Sequence, residues 1–169
     1  SRLPFSGQAR VPPVASSQAE QCLFLNIKAP RLNVPSGGKG KPLLPVMVWI
    51  HGGAFVFGSG SDGIYRSGAL CRRGCVLVSI NYRLGCFGNL KLPGGAANNG
   101  LWDQYTALRW ISQNISGFGG DPDRVTIFGE SAGGMSCGAL LTSPLTQPFF
   151  KRAILMSGAC CNVMSAADG

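Results

Sequence analysis

The sequence predicts an α/β fold, with one mostly parallel central sheet and helices on both of its faces. The chain has 169 residues, of which 45% are hydrophobic, so it is long enough to form one domain with a buried core. Apolar runs of strand length alternate along it with segments of helical periodicity. Its 25 glycines are typical of a protein with many tight turns between such elements.

Five segments have the pattern of strands. The first alternates apolar and polar residues and ends before Pro30, which is typical of a half-buried strand. The next two are nearly continuous apolar runs, as expected for parallel strands covered on both faces. In chain order, the predicted strands are 23–28, 43–50, 76–80, 125–128 and 153–156.

Helices are predicted between these strands. A short one can form over 64–74, and a longer amphipathic one begins at Leu101 and ends near Gly117. Its apolar positions are Leu101, Tyr105, Leu108, Ile111 and Ile115. A third covers 132–141 and ends before Pro144. We expect irregular chain at 1–19, a polar turn at 31–42, a loop at 84–100 and a turn at Asp121-Pro122.

Composition excludes several classes of function. Fifteen Lys and Arg against seven Asp and Glu give a net charge of +8, but the basic residues are scattered, so we expect no nucleic-acid partner. No apolar run reaches the roughly 18 residues of a membrane span. Seven cysteines and one histidine form no clear metal site, and we expect neither metal nor cofactor. Cys75 and Cys137 are expected to be buried thiols.

Gly129-Glu130-Ser131-Ala132-Gly133 has the pattern of a nucleophile elbow. A strand ending in Gly-x-Ser-x-Gly turns sharply into a helix and exposes the serine hydroxyl at the end of the sheet. Ser131 is therefore the candidate nucleophile. Acyl transfer also needs N–H groups directed at the oxygen that becomes negative. Ala132 can supply one of them, and Gly52-Gly53-Ala54, which follows another core strand, can supply others.

Several motifs resemble those of type-B carboxylesterases, a branch of the α/β-hydrolase superfamily. They cover about residues 20–158 in family order: Glu20-Gln21-Cys22-Leu23-Phe24-Leu25-Asn26, Trp49-Ile50-His51-Gly52-Gly53, Asn81-Tyr82-Arg83-Leu84-Gly85, Asn99-Gly100-Leu101-Trp102-Asp103-Gln104, Phe118-Gly119-Gly120-Asp121-Pro122, Phe128-Gly129-Glu130-Ser131-Ala132-Gly133-Gly134 and Arg152-Ala153-Ile154. Two positions depart from the family pattern, Gln21 in place of Asp and Ala54 in place of the third Gly of many members.

The resemblance implies a partial α/β-hydrolase fold and a serine esterase. Ser131 would be acylated, with the amides of Gly53, Ala54 and Ala132 as the oxyanion hole and Glu130 as a buried polar neighbour. The substrate would be a small-molecule or lipid carboxylic ester, and the secretory pathway is favoured. Oligomeric state stays open. The alternative is a non-catalytic, cholinesterase-like adhesion or binding protein, because fold alone does not fix function.

The general base of such an enzyme is missing from this sequence. The superfamily places its acid and His after the serine, but the single histidine, His51, precedes Ser131. We expect His51 to have a structural role and Asp168 to be solvated. Arg83 and Asp103 are candidates for a structural ion pair, with a merely solvated pair as the alternative. Residues 1–169 are expected to be the N-terminal and central part of a protein about three times as long, and inactive alone.

Overall fold

The computed structural model describes residues 21–30, 42–62, 68–91 and 94–159. The predictions for 1–19, for nearly all of 31–42, for the first part of 64–74 and for Asp168 lie outside these ranges. Within the described helices, none is long and apolar enough to cross a membrane.

Within the described ranges, five strands form one sheet in the order β1-β3-β2-β4-β5. Strand β1 pairs antiparallel with β3, and the other three pairings are parallel, which confirms the mostly parallel sheet. The strands are β1 (Leu25–Lys28), β2 (Leu44–Ile50), β3 (Val76–Ile80), β4 (Gly120–Glu130) and β5 (Arg152–Met156). Strand β4 begins earlier than predicted: Asp121-Pro122 lies within it, beside an irregularity in its pairing with β2, and not in a turn.

In the part of the chain that the structure describes, four α-helices connect and cover the strands. They are α1 (Ala69–Arg72), α2 (Gly85–Asn89), α3 (Asn99–Asn114) and α4 (Ala132–Thr142). Helix α2 corrects the prediction of a loop over 84–100. The segment is rich in glycine, which lowers helix propensity, but a Cβ on Gly88 or Gly100 would come closer than 3.0 Å to the Arg83 carbonyl oxygen. The glycines therefore let α2 and α3 close on that backbone.

Both faces of the sheet carry helices, as predicted. Val46, Val48 and Ile50 point to one face and form a core cluster with residues of α3 and α4. Met47 and Trp49 point to the other face and cluster with Leu77 and residues of α1. Alternate side chains of β2 thus pack into two cores, one on each face of the sheet. This explains why the sequence of β2 is continuously apolar.

Helix α3 has the predicted amphipathic pattern. Leu108 and Ile111 are fully buried, and so is Ile115 in the 3-10 turn that continues the helix. Trp102 and Trp110 lie on the exposed side of α3, at 51% and 36% exposure. They contact the rings of Tyr105 and Phe118, respectively. Of the two cysteines predicted to be buried, Cys137 is, whereas Cys75 is half-buried.

Candidate active site

The carboxyl ends of three adjacent parallel strands bring the candidate residues together. Ile50 at the end of β2 pairs with Gly129 of β4, and Gly129 pairs with Leu155 of β5. The segments that follow these strands therefore leave the sheet at one edge. In open α/β sheets, this is the edge at which ligands bind.

Ser131 lies in the turn between β4 and α4, with φ 54° and ψ −123°. A positive φ is uncommon for a residue with a side chain, and such conformations cost about 1–3 kcal/mol unless the surroundings hold them. Its N–H donates to the carbonyl oxygen of Met156 at 2.8 Å, and its own carbonyl accepts from the Met135 N–H at 3.0 Å. Strand β5 and the first turn of α4 thus hold the strained serine from both sides.

The elbow glycines are required by close packing. A Cβ on Gly133 would come closer than 3.0 Å to the carbonyl oxygens of both Ile50 and His51. A Cβ on Gly129 would meet the backbone of Gly133 at a similarly short distance. Glycine at these positions lets helix α4 begin directly against the end of β2. The pattern Gly-x-Ser-x-Gly is therefore explained by backbone contacts.

The loop after β2 makes an unusual turn beside this elbow. Gly53, Ala54 and Phe55 have φ values of 112°, 52° and 61°, so three consecutive residues lie in the left-handed half of the φ range. A Cβ on the preceding Gly52 would lie 3.3 Å from the Cβ of Ser131. The turn therefore begins in contact with the serine.

Three N–H groups near Ser131 are not used by the surrounding backbone. Those of Gly53, Ala54 and Ala132 donate to no backbone carbonyl of a described residue. For Ala132 the reason is general, because the first N–H groups of a helix have no partner within it. Such groups are suited to bind an oxyanion.

His51 is enclosed by the same loop. Its imidazole is buried, stacks on the Tyr82 ring with centroids 4.5 Å apart, and has Nδ1 2.8 Å from the Gly52 carbonyl oxygen. Because a carbonyl only accepts, this contact fits the tautomer with the proton on Nδ1. Tyr82 donates its hydroxyl proton to the His51 carbonyl at 2.7 Å. Burial lowers the pKa of the imidazole below its ordinary value. These contacts support the predicted structural role.

Glu130 differs from what the resemblance implied. It was expected to be a buried polar neighbour of the site, whereas among the described residues it ends β4 with an exposed side chain. In the described ranges, no side chain hydrogen-bonds the Ser131 hydroxyl, and His, Cys, Asp and Glu form no cluster able to hold a metal.

Two polar contacts, one partly and one fully buried, join α3 to the site region. Asp103 accepts hydrogen bonds from the Arg83 backbone N–H at 3.0 Å and from the Arg83 Nε at 2.8 Å. The two residues therefore form the structural ion pair and not a merely solvated pair. Gln104 donates to the Ser136 hydroxyl of α4 at 3.1 Å, with both residues almost fully buried. Sequence reasoning missed the second contact, although two adjacent polar residues on the buried side of an amphipathic helix are a signal for such a pair.

A separate groove lies at the opposite end of β2. It has a volume of about 660 Å³ and its lining includes Ile27, Pro30, Leu43 and Phe118. Its lining contains none of the candidate residues. This groove therefore does not mark the candidate site, and the convergence of loops around Ser131 is the better guide.

Comparison with known proteins identifies the family. A model of the carboxylesterase family matches residues 4–168, nearly the whole sequence. The chain belongs to the carboxylesterase family. It is 51% identical over 147 residues to para-nitrobenzyl esterase of Bacillus subtilis (strain 168), a match that covers 84% of this chain and 29% of that protein. With fumonisin B1 esterase of Sphingopyxis macrogoltabida it shares 46% identity, over 85% of this chain and 27% of the relative.

Solved structures of carboxylesterases show the same fold. A PNB esterase structure that is 48% identical in sequence superposes with a TM-score of 0.77, over 92% of this chain and 32% of the solved one. The partial α/β-hydrolase fold that the resemblance implied is thereby confirmed. The chain spans about a third or less of the length of these relatives.

Proposed function

We propose that the protein is a carboxylic ester hydrolase that works through an acyl-enzyme on Ser131. The main observation behind the proposal is that two loops meet. One is the strained serine elbow after β4, and the other is the turn after β2, whose Gly53 and Ala54 N–H groups donate to no described backbone carbonyl. Esterases in the same family support it further.

The residues supply two of the three parts that acyl transfer needs. Ser131 Oγ would attack the ester carbonyl carbon, and the N–H groups of Gly53, Ala54 and Ala132 would donate to the developing oxyanion. The alcohol would leave with a proton, and water would then hydrolyse the acyl group from the serine. Loss of one such donor typically costs about 3–4 kcal/mol of transition-state stabilisation.

The third part, a general base, is proposed to lie outside this sequence. His51 is enclosed by Tyr82 and the Gly52 carbonyl, and no other histidine is present. The chain covers only 29% of para-nitrobenzyl esterase. We therefore infer a single α/β-hydrolase domain that continues beyond residue 169 and contributes the acid and the His.

Apolar side chains beside the turn favour an ester with an apolar group. Val56 and Phe57 are 67% and 68% exposed, and Phe87 of α2 is 70% exposed. Helix α2 is joined to the turn by a 2.7 Å hydrogen bond from the Gly85 N–H to the Phe55 carbonyl. Exposed apolar residues grouped in this way are typical of binding surfaces. The proposed substrates are small-molecule or lipid carboxylic esters.

Labelling with a fluorophosphonate tests the proposal against a non-catalytic binding protein. The full-length protein should be labelled at Ser131, and Ser131→Ala should abolish both labelling and hydrolysis of p-nitrophenyl acetate. Ser112→Ala, which changes an exposed serine of α3, is the matched control and should leave both intact. If the wild-type protein is folded but neither labelled nor active, the binding-protein alternative is favoured.

A further inference from the structure

The turn Gly53-Ala54-Phe55 needs support from outside itself. Two of its three residues carry side chains at positive φ, which is a high-energy conformation for an L-residue. Inside the turn, the N–H groups of Val56 and Phe57 both donate to the Gly53 carbonyl. These local bonds close the turn but do not fix where it lies relative to Ser131.

The Phe55 carbonyl provides the outside connection. It accepts the Gly85 N–H at 2.7 Å, which is the one backbone hydrogen bond from residues 53–57 to another segment among the described residues. Asn89 Nδ2 approaches the same carbonyl at 3.4 Å and also donates to the Gly85 carbonyl at 3.2 Å. The position of the turn therefore depends on the position of Gly85.

Asp103 of α3 in turn holds the segment that leads into Gly85. Its Oδ2 accepts from the backbone N–H and the Nε of Arg83, and its Oδ1 accepts from Nη2 at 2.7 Å. The Asp103 side chain is 5% exposed and that of Arg83 is 38% exposed, so the carboxylate is buried while the guanidinium keeps partial contact with solvent. A two-pronged guanidinium contact fixes direction as well as distance.

We propose that Arg83 and Asp103 are positioning residues for the oxyanion turn, acting through the hydrogen bond from Gly85 to Phe55. This inference rests on the function proposed above. Asp103 binds the Arg83 backbone and so fixes the position of the Gly85 N–H. The Gly85 N–H in turn holds the Phe55 carbonyl. Because Phe55 belongs to the turn, this bond sets the direction of the Gly53 and Ala54 amides. Because donors must be aimed to within a fraction of an ångström, a small displacement of the turn lowers the rate of the chemical step.

The test uses the full-length protein with Asp103→Asn, which keeps the side-chain shape but places an amide where donors converge. We measure kcat per fluorophosphonate-titrated serine, KM, the inhibition constant of a trifluoromethyl ketone and the thermal midpoint. The ketone adduct on serine carries an oxyanion. We expect kcat per serine to fall by about 10- to 100-fold, the ketone to bind more weakly by a similar factor, and KM to change little.

Asp121→Asn is the matched control, because it removes the same charge from an exposed ion pair with Arg124 at the other end of β4. It should leave kcat and ketone binding unchanged. Asn89→Ala removes an exposed donor to the Phe55 carbonyl and should lower kcat per serine about three- to tenfold. If Asp103→Asn does not fold, Asn89→Ala decides the question.

The inference is overturned if the folded variants keep kcat per titrated serine and ketone affinity within about twofold of the wild-type values. A fall in the thermal midpoint does not change that conclusion. In that case, Ser131 remains the nucleophile as long as Ser131→Ala is inactive. A wild-type protein without esterase activity or labelling would instead refute the proposed function, and with it the inference.

Discussion

At the scale of single residues, the site depends on backbone conformations that few residues adopt. Ser131 and Ala54 have positive φ although both carry a Cβ, and Gly133 lies where no side chain fits. The surrounding strands and helices must hold these conformations, because each opposes the intrinsic preference of the chain. Residue identity at the elbow is therefore set mainly by space and backbone angle.

We predict that Gly133→Ala destabilises the protein strongly. Its Cβ would come closer than 3.0 Å to two backbone oxygens of the β2 end, which cannot move without disturbing the sheet. A loss of about 2–3 kcal/mol in the free energy of unfolding is expected. Gly117→Ala is the matched control: nothing lies within 4 Å of its Cβ, so no loss is expected. Equal thermal midpoints for the two variants would contradict this account.

His51 gives a prediction for pH dependence. Burial lowers its folded-state pKa below 6.5, so between the folded pKa and 6.5 the unfolded chain binds more protons than the folded one. Stability contributed by neutral His51 is therefore complete above pH 6.5 and is lost as the pH falls below it. The loss is at most about 1.4 kcal/mol per pH unit.

Denaturant unfolding at pH 7.5 and 5.5 checks this prediction. The wild-type protein should lose more stability between these values than His51→Gln, whose side chain does not titrate. Replacing a buried ring lowers the free energy of unfolding at both pH values. This cost cancels when the stability loss between the two pH values is compared for the two proteins. If His51→Gln loses as much stability as the wild type between these pH values, the folded-state pKa of His51 is not lowered.

At the scale of secondary structure elements, α3 organises the site region without contributing a proposed catalytic residue. Its buried side combines Leu108 and Ile111 with two polar residues, Asp103 toward the loop after β3 and Gln104 toward α4. Helix α4 has little amphipathic character, since most of its residues are small and buried. The contact between Gln104 and Ser136 gives this pair of helices a specific polar connection.

We predict a coupling between Gln104 and Ser136. Gln104→Leu should cost about 1–3 kcal/mol in the free energy of unfolding, because the buried Ser136 hydroxyl loses its partner. Gln104→Leu combined with Ser136→Ala should cost less than the sum of the single changes, since no unpaired hydroxyl remains. A double-mutant cycle by denaturant unfolding measures this difference, and additive changes would contradict it.

At the scale of the whole molecule, β5 is an edge strand of the sheet that the described residues form, and it has exposed apolar residues. Ile154 and Met156 are 45% and 37% exposed, although both belong to a strand adjacent to the elbow. Unpaired edges with apolar side chains invite association. This exposure accords with the proposal that the domain is longer than this chain, which spans about a third or less of its relatives.

We predict that residues 1–169 alone hydrolyse p-nitrophenyl acetate far more slowly than the full-length protein. Removing the base of a serine hydrolase typically lowers the rate by about 10⁴- to 10⁶-fold, with weak residual catalysis from the oxyanion hole. A purified 169-residue chain, shown to be folded by circular dichroism, provides the comparison. Turnover at ordinary esterase rates would mean that a base exists within this sequence.

The sequence predicted the strands well because apolar runs and their alternation reflect burial directly. It missed α2, where local glycine content favours a loop and tertiary contacts, such as that of Gly88 with Arg83, favour the helix. The burial of Glu130 that the family resemblance implied is not seen among the described residues, because burial depends on what covers the residue.

By itself, the sequence determined the order of the strands and of the helices other than α2, the family and the candidate nucleophile, because short motifs and periodicity are local properties of the chain. Only the tertiary structure decided which distant segments meet: the β2 end with the elbow, Gly85 with Phe55, and Asp103 with Arg83. Such contacts depend on strand order and helix packing, which arise from the whole fold and are not encoded in any single motif.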